Sequence, residues 1–243
     1  MTINVPPDSG LTVKELFPHI YYLEFDSSYR SAMHMLRFEE YYESPKFKGQ
    51  IFSLIDFMEW YASEHDDVFS YPADWGGFNV PSTSLLAVRN ATIPDFNRYD
   101  ALMFEIIDQV VTRENGHIFY FISSSKEEPK VTLNHEIAHA FYACDPEYRQ
   151  AMDTTINAWK EQYPTKYEKA ALVLKKLGYH EQSVQDEIHA YCATGLCTEL
   201  LGALRPMPKV REIFKTYMRQ LRPRKVANGR PIPQSDELQP QSG

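Results

Sequence analysis

Two histidines four residues apart, with a glutamate directly after the first, are the side chains here whose spacing best suits chemistry: His135, Glu136 and His139 in "HEIAH". Residues four apart on an α-helix lie on one face, so both imidazoles would point at a common spot. Zinc binds neutral imidazole, and a catalytic zinc site takes three protein ligands and leaves the fourth position open. Glu136, about 100° around the helix from His135, is placed to reach a water molecule there as a general base.

The helix that carries this motif also has an apolar side. Its members are Leu133, Ile137, Ala140, Phe141 and Cys144. Such a stripe anchors a helix in a core and leaves the histidines on the other side. The H-E-x-x-H pattern arises by chance in roughly a few of every hundred chains of this kind. Its position after a predicted strand and on an amphipathic helix favours a metal site.

The third ligand has three candidates, of which Asp145 is nearest in sequence. It lies six residues beyond His139, the spacing of the HExxHxxGxxH/D pattern found in metzincins. That pattern needs a glycine where the helix breaks and swings the third ligand in. Tyr142 stands at this place and is poorly suited to a left-handed turn. Asp145 is therefore the alternative ligand.

Glu187 and His189, in "QDEIHAYCATG", are the other two candidates. Residues two apart on a helix point about 200° from each other, so the two side chains cannot serve one ion. Glu187 shares its face with Tyr191 and Thr194, a polar group that could line a site. His189 is predicted to be an ordinary surface or partly buried histidine. Glu187 is the preferred third ligand.

The chain resembles the gluzincin branch of the zincin metallopeptidases, because "HEIAH" at 135–139 is followed by a glutamate at position 187 on a separate helix. The resemblance covers roughly residues 95–200, as in compact minimal gluzincins. It implies one zinc ion per chain, held by His135, His139 and Glu187, with Glu136 as the base. It also implies hydrolysis of peptide bonds in a peptide or protein substrate by a Glu-activated, zinc-bound water.

The resemblance also raises the question of which residues support the metal and the oxyanion. Thermolysin-like members carry an aspartate four residues after the third ligand, and this chain has Tyr191 there. The group that orients a metal-binding histidine must therefore come from elsewhere. Tyr191 is a candidate for stabilising the oxyanion, and Tyr179 and His180 compete with it for that role.

The sequence leaves two other functions open. The first is a catalytically silent zincin-like fold that acts as a binding or regulatory module, although every zinc and base residue is present. The second is a protease dedicated to a single protein partner, which an aromatic loop and an additional N-terminal region would suit.

The helices and strands predicted around these residues indicate an α+β fold. It would be a mostly helical zincin-like metallopeptidase core with a small sheet. "HIFYFISSS" at 117–125 is predicted to be the strand before the HExxH helix and the edge strand along which an extended substrate lies. A second strand is predicted at 19–25 and a helix at 95–111, with Asp95 or Asn97 as its N-cap.

Three regions are predicted along the chain. Residues 1–90 form an N-terminal helical region of unknown role, with an aromatic loop at 68–88. Residues 91–222 form the zincin-like catalytic core, in which a helix is predicted to end near Gly202. Residues 223–243, rich in Pro, Gln and Ser, predict a disordered tail.

Composition restricts partners and location. A formal net charge of -8 argues against nucleic-acid binding, which needs a basic face. No apolar run approaches the ~20 residues that span a bilayer, and "MTINVPPDSG" lacks the features of a signal peptide, so a cytoplasmic protein without a membrane partner is expected. Three cysteines fit a reducing compartment. Oligomeric state is not indicated.

Overall fold

The computed structural model describes residues 3–127, 130–177, 179–195 and 197–220, so the predicted tail at 223–243 lies outside the described residues. Four strands are present in this part of the chain: β1 Leu11–Phe17, β2 Ile20–Phe25, β3 Gly77–Pro81 and β4 Tyr120–Ser125. The α-helices there are α1 Ser28–Glu43, α2 Leu54–Ser63, α3 Tyr71–Asp74, α4 Ser82–Arg89, α5 Arg98–Glu114, α6 Lys130–Cys144, α7 Pro146–Gln162, α8 Pro164–Lys176, α9 Val184–Thr194 and α10 Pro208–Gln220. The fold is α+β and mostly helical.

The strands form one mixed sheet in the order β1-β2-β4-β3. β1 and β2 form an antiparallel pair, β4 runs parallel to β2, and β3 runs antiparallel to β4. The prediction that the strand before the HExxH helix is an edge strand is therefore wrong. Every residue of β4 is buried, its three serines included, as expected of a strand that is covered on both faces. The edge strand beside it is β3.

The predicted loop at 68–88 was also wrong in part. It contains the short helix α3, the edge strand β3 and most of α4. Gly77 and Pro81 are the end residues of β3, so the turn-forming residues mark the limits of a strand rather than a loop. Proline is tolerated there because an edge strand does not need every N–H for the ladder.

The sheet separates two hydrophobic cores, because side chains alternate between its faces. Tyr21, Leu23 and Phe25 pack with residues of α1, α2, α4 and α5. Ile20 and Tyr22 pack on the opposite face with residues of α6 to α10. Strands from the predicted N-terminal region and from the predicted core thus share one sheet.

Local signals explain where α5 begins and where α9 ends. The Asn97 side chain accepts the Tyr99 N–H and caps α5, as predicted. The helix expected to end near Gly202 ends earlier, at Thr194, because Gly195 adopts φ 153°, a backbone conformation open to glycine.

The three cysteines are free, and no helix in the described part of the chain is long and apolar enough to cross a bilayer.

Candidate metal centre

Helix α6 carries the HExxH motif and packs against β3, β4 and α9. Ile137, Ala138 and Phe141 are buried on its core side. This packing turns His135 and His139 toward α9, which contributes Glu187. Two helices that are distant in sequence therefore bring the predicted ligands together.

The two imidazole nitrogens and the Glu187 carboxylate lie at distances close to those of a tetrahedral zinc site. His135 Nε2 and His139 Nε2 are 3.2 Å apart. Glu187 Oε2 lies 3.5 Å from His135 Nε2, and Glu187 Oε1 lies 3.5 Å from His139 Nε2. Ligands about 2.0–2.1 Å from a tetrahedral ion are separated from one another by roughly 3.3–3.4 Å. Two imidazoles and a carboxylate are also a donor set of catalytic zinc, so the residues fit this metal.

Glu187 shows what this cluster lacks without a cation. Its side chain is buried, and its Oε2 atom has no hydrogen-bond partner. A buried carboxylate in this state is costly unless a positive charge compensates it. Burial, together with the nearby Asp186 carboxylate, raises the pKa of Glu187 to about 7, although His139 acts in the opposite direction. A divalent cation would supply the missing partner.

His139 is oriented by a carboxylate that sequence reasoning did not assign to the site. Asp186 Oδ2 lies 3.0 Å from His139 Nδ1, which leaves His139 Nε2 facing the metal position. Burial alone would lower the pKa of His139, but Asp186 and Glu187 outweigh it and hold the pKa well above its usual value. Asp186 is thus placed where it could orient a metal-binding histidine, a role for which the residue four positions after Glu187 is unsuitable.

His189 in turn holds the Asp186 carboxylate that contacts His139. Its Nδ1 lies 3.0 Å from Asp186 Oδ1, and its Nε2 lies 2.8 Å from the Tyr148 hydroxyl. The prediction of a surface or partly buried histidine was wrong, since His189 is 0 % exposed. Polar contacts therefore run without a break from Tyr148 through His189 and Asp186 to His139, one of the candidate metal ligands.

The contacts that hold the His135 ring are weaker than the Asp186 contact of His139. Its Nδ1 lies 3.4 Å from the Thr194 hydroxyl, and its ring centroid is 4.5 Å from that of Tyr191. Burial, with repulsion from His139, lowers the pKa of His135 to about 4. Its imidazole is therefore neutral near pH 7, which is the form that binds a metal.

Glu136 is held by a second residue that sequence reasoning missed. The Asn79 amide on β3 donates a hydrogen bond of 2.6 Å to Glu136 Oε2. The Tyr120 hydroxyl donates in turn to Asn79 Oδ1 and fixes the orientation of the amide. Burial raises the pKa of Glu136 above its usual value, while the two histidines and Asn79 act against this rise. A base with a raised pKa is better matched to proton transfer near neutral pH.

The three candidates for the oxyanion role are not in equivalent positions. Tyr179 and Tyr191 line the same cleft as the ligands, with their hydroxyl oxygens 3.0 Å apart. Burial raises the pKa of both, so both are protonated donors at neutral pH. His180 does not line this cleft, and its ring nitrogen accepts the Gln182 N–H at the start of a short 3-10 turn. The structure therefore separates His180 from the site.

Asp145, the alternative ligand, is also separated from the histidines. It is the N-cap of α7, where its side chain accepts the Tyr148 N–H at 2.8 Å. Helix α6 continues through Tyr142 to Cys144 without a break. A residue six positions further along an unbroken helix rises by about 9 Å, which takes Asp145 away from the metal position.

The cleft around these residues has a volume of about 390 Å³ and is rich in carboxylates. In addition to Glu136 and Glu187 it is lined by Glu39 and Glu43 from the end of α1. Burial, with a contribution from Glu187, raises the pKa of Glu43 to about 8. Within the described residues no lysine or arginine lines the cleft, and the basic side chains that line it are His135 and His139.

Comparisons with protein-family models, with curated proteins and with solved structures give no match for this chain. The functional argument therefore depends on the geometry of the site.

Proposed function

We propose that the protein is a zinc-dependent metallopeptidase. The observation that carries this proposal is that His135 Nε2 and His139 Nε2 lie 3.2 Å apart and that each lies 3.5 Å from one oxygen of the Glu187 carboxylate. The unpartnered Glu187 Oε2 atom and the carboxylate behind His139 support it further. A zinc ion bound there supplies Lewis acidity, which polarises a peptide carbonyl and acidifies a water molecule.

The protein's own residues divide the remaining work. Glu136 accepts the proton of the attacking water and returns it to the leaving amine, while Asn79 holds the carboxylate in position. Asp186 keeps the His139 ring in its orientation. A hydroxyl of Tyr191 or Tyr179 donates a hydrogen bond to the oxygen on which negative charge develops.

An extended peptide would lie along the edge strand β3. Gly76, Gly77 and Asn79 line the cleft, so this strand passes directly beside the proposed metal position. A substrate strand gains affinity from main-chain hydrogen bonds to such an edge. The Asn79 N–H donates at 3.1 Å to Glu39 Oε2, so a substrate carbonyl would compete with Glu39 for this donor.

The decisive experiment measures zinc by plasma mass spectrometry in purified wild type, His139→Ala, Glu187→Ala and Asp145→Ala. About one zinc per chain is expected in wild type, with loss in the first two variants. Asp145→Ala is the matched control, since it removes a carboxylate that caps α7 and does not face the site. Cleavage of a quenched-fluorescence peptide library should follow the zinc content.

The outcomes separate the proposed enzyme from its alternatives. Absence of zinc in wild type after incubation with the metal would refute the proposal. Stoichiometric zinc without cleavage of any peptide or denatured protein would favour a silent binding module. Deleting residues 1–90 cannot test for a dedicated partner, because the deletion removes β1, β2 and β3 from the sheet.

A further inference from the structure

A second cavity lies beside the proposed metal cleft, and its walls have an unusual composition. Its volume is about 280 Å³, which is room for roughly nine water molecules or for one long side chain. Four residues line both cavities: Glu39, Glu43, Trp75 and Tyr179. A side chain next to the bond held at the metal position could therefore enter the second cavity.

Glutamates outnumber histidines in its walls. Four glutamates line it: Glu39, Glu40, Glu43 and Glu64. Within the described residues no lysine or arginine lines it, and the histidines present are His65 and His180. Glu39 is partly engaged, because it accepts the Asn79 N–H. The cavity thus offers carboxylate acceptors without a fixed cation to satisfy them.

The remaining walls are largely aromatic. The rings are those of Trp60, Tyr61, Tyr71, Trp75 and Tyr179. Ring faces attract ammonium and guanidinium groups. One contact of this type exists beside the cavity, where the Lys46 ammonium lies 5.4 Å from the Trp60 ring centroid. Lys46 itself is not one of the lining residues.

A buried hydroxyl in the wall supplies an independent indication of a ligand. Tyr71 is 1 % exposed, lines the cavity, and its hydroxyl makes no hydrogen bond of normal geometry. The Glu40 carboxylate is close enough to affect its pKa. A buried hydroxyl with no hydrogen bond of normal geometry is costly. Because ammonium and guanidinium groups carry only donors, such a group entering this cavity would donate an N–H to the Tyr71 oxygen.

We propose that this second cavity is a subsite for a lysine or arginine side chain of the substrate, next to the bond that is cleaved. Carboxylates would pair with the cation while the aromatic rings pack on its aliphatic part and its charged face. This inference rests on the proposed peptidase function for its role in selectivity. Binding of the cation itself can be measured without turnover.

The first test is a titration of the metal-free full-length protein with N-acetyl-arginine amide and with its neutral analogue N-acetyl-citrulline amide. The chain has three tryptophans, so a Trp159→Phe background leaves the fluorescence of Trp60 and Trp75, which both line the cavity. Arginine amide is expected to bind at least about tenfold more tightly than citrulline amide. Equal binding of the two, or binding of neither, would overturn the proposal.

Substitutions in the cavity wall test whether its glutamates cause the preference for arginine amide. Glu40→Gln combined with Glu64→Gln keeps shape and removes two charges, and should reduce the preference for arginine amide by about tenfold. Glu105→Gln is the matched control, because Glu105 is exposed on α5 and does not line the cavity. Circular dichroism verifies that each variant is folded. A preference retained in a folded double variant would contradict the assignment.

A zinc-loaded sample then connects binding to selectivity. Paired peptides that differ only in arginine against citrulline should be cleaved at rates that differ by about tenfold. If the protein holds no zinc and cleaves nothing but prefers arginine amide, the peptidase proposal fails and the cationic subsite stands. If it cleaves both peptides equally and shows no arginine preference, the subsite fails and the peptidase proposal stands.

Discussion

Two buried charged clusters in this molecule differ in how completely they are satisfied. The first, in the helical layer of α1 and α5, centres on Arg37. Its guanidinium donates to Asp100 Oδ1 at 2.8 Å, to Asp95 Oδ1 at 3.0 Å and to the Phe52 carbonyl. The Asp100 carboxylate also accepts the Asn97 N–H. This cluster is complete and joins α1, α5 and the start of α2.

The second cluster, around His135, His139 and Glu187, is not complete. Glu187 Oε2 has no hydrogen-bond partner, and no lysine or arginine lines the surrounding cleft within the described part of the chain. Removing one partner from a complete buried cluster is strongly destabilising, whereas an incomplete cluster carries a cost that a bound ligand offsets. Burial is common to both clusters, so the missing partner is what points to function.

The largest effect is expected from Glu136→Gln. The amide keeps the shape of the side chain but cannot accept the proton, so turnover should fall about 10²- to 10⁴-fold. Zinc content and the free energy of unfolding should stay close to wild type, because Glu136 is not a proposed ligand. Steady-state cleavage rates and metal analysis on the same preparation measure this, and unchanged turnover would remove Glu136 from the mechanism.

Arg37→Ala should produce the opposite pattern. It leaves the buried Asp100 carboxylate without its cation, which typically costs about 3–5 kcal/mol of stability. Zinc affinity of the folded fraction should not change. Urea unfolding with the metal present measures the loss. Arg37→Lys serves as the companion variant if the alanine variant fails to fold, and a zinc affinity that falls in step with stability would show that the clusters are not independent.

Asp186→Asn should have an intermediate effect. Loss of the carboxylate behind His139 weakens zinc binding about 10- to 100-fold, as expected for a group that orients a metal ligand. Competition with a fluorescent chelator measures the affinity. Asp56→Asn is the control, because Asp56 is exposed in the first turn of α2. Equal zinc affinity in wild type and Asp186→Asn would leave the His139 contact without a role in binding.

Arg89→Ala should have the smallest effect. Arg89 forms a two-pronged pair with Asp108 similar to that of Arg37, with distances of 3.0 and 2.9 Å, but Asp108 is largely exposed. An exposed pair contributes about 0.2–1 kcal/mol. Thermal unfolding compared with Arg37→Ala isolates the effect of burial, and a loss as large as that of the buried arginine would contradict this interpretation.

Much of the site could be predicted because its parts are local. His135, Glu136 and His139 lie within five residues, and helical periodicity alone places the two imidazoles on one face. Glu187 was preferred over His189 by the same reasoning. Asp186 and Asn79 were missed because a carboxylate next to a ligand and an amide on a short strand have no periodic signal. Their positions depend on how α9 and β3 approach α6.

The same limit applies to the sheet. Composition predicts a strand at 120–125, but it does not predict which strands pair with it. The sequence of β3 favours a loop instead, because a run of five residues between turn-forming residues is ambiguous. The alternating residues of β1 were not recognised as a strand at all.

The sequence by itself determined that an amphipathic helix presents two histidines and a glutamate, because helical geometry follows from local backbone preferences. Only the tertiary structure decided that Glu187 meets those histidines, that β3 rather than β4 borders the cleft, and that acidic and aromatic side chains from α1, α2 and α3 form a second cavity beside it. Contacts between distant segments depend on the packing of whole helices and strands, and no local pattern in the chain encodes them.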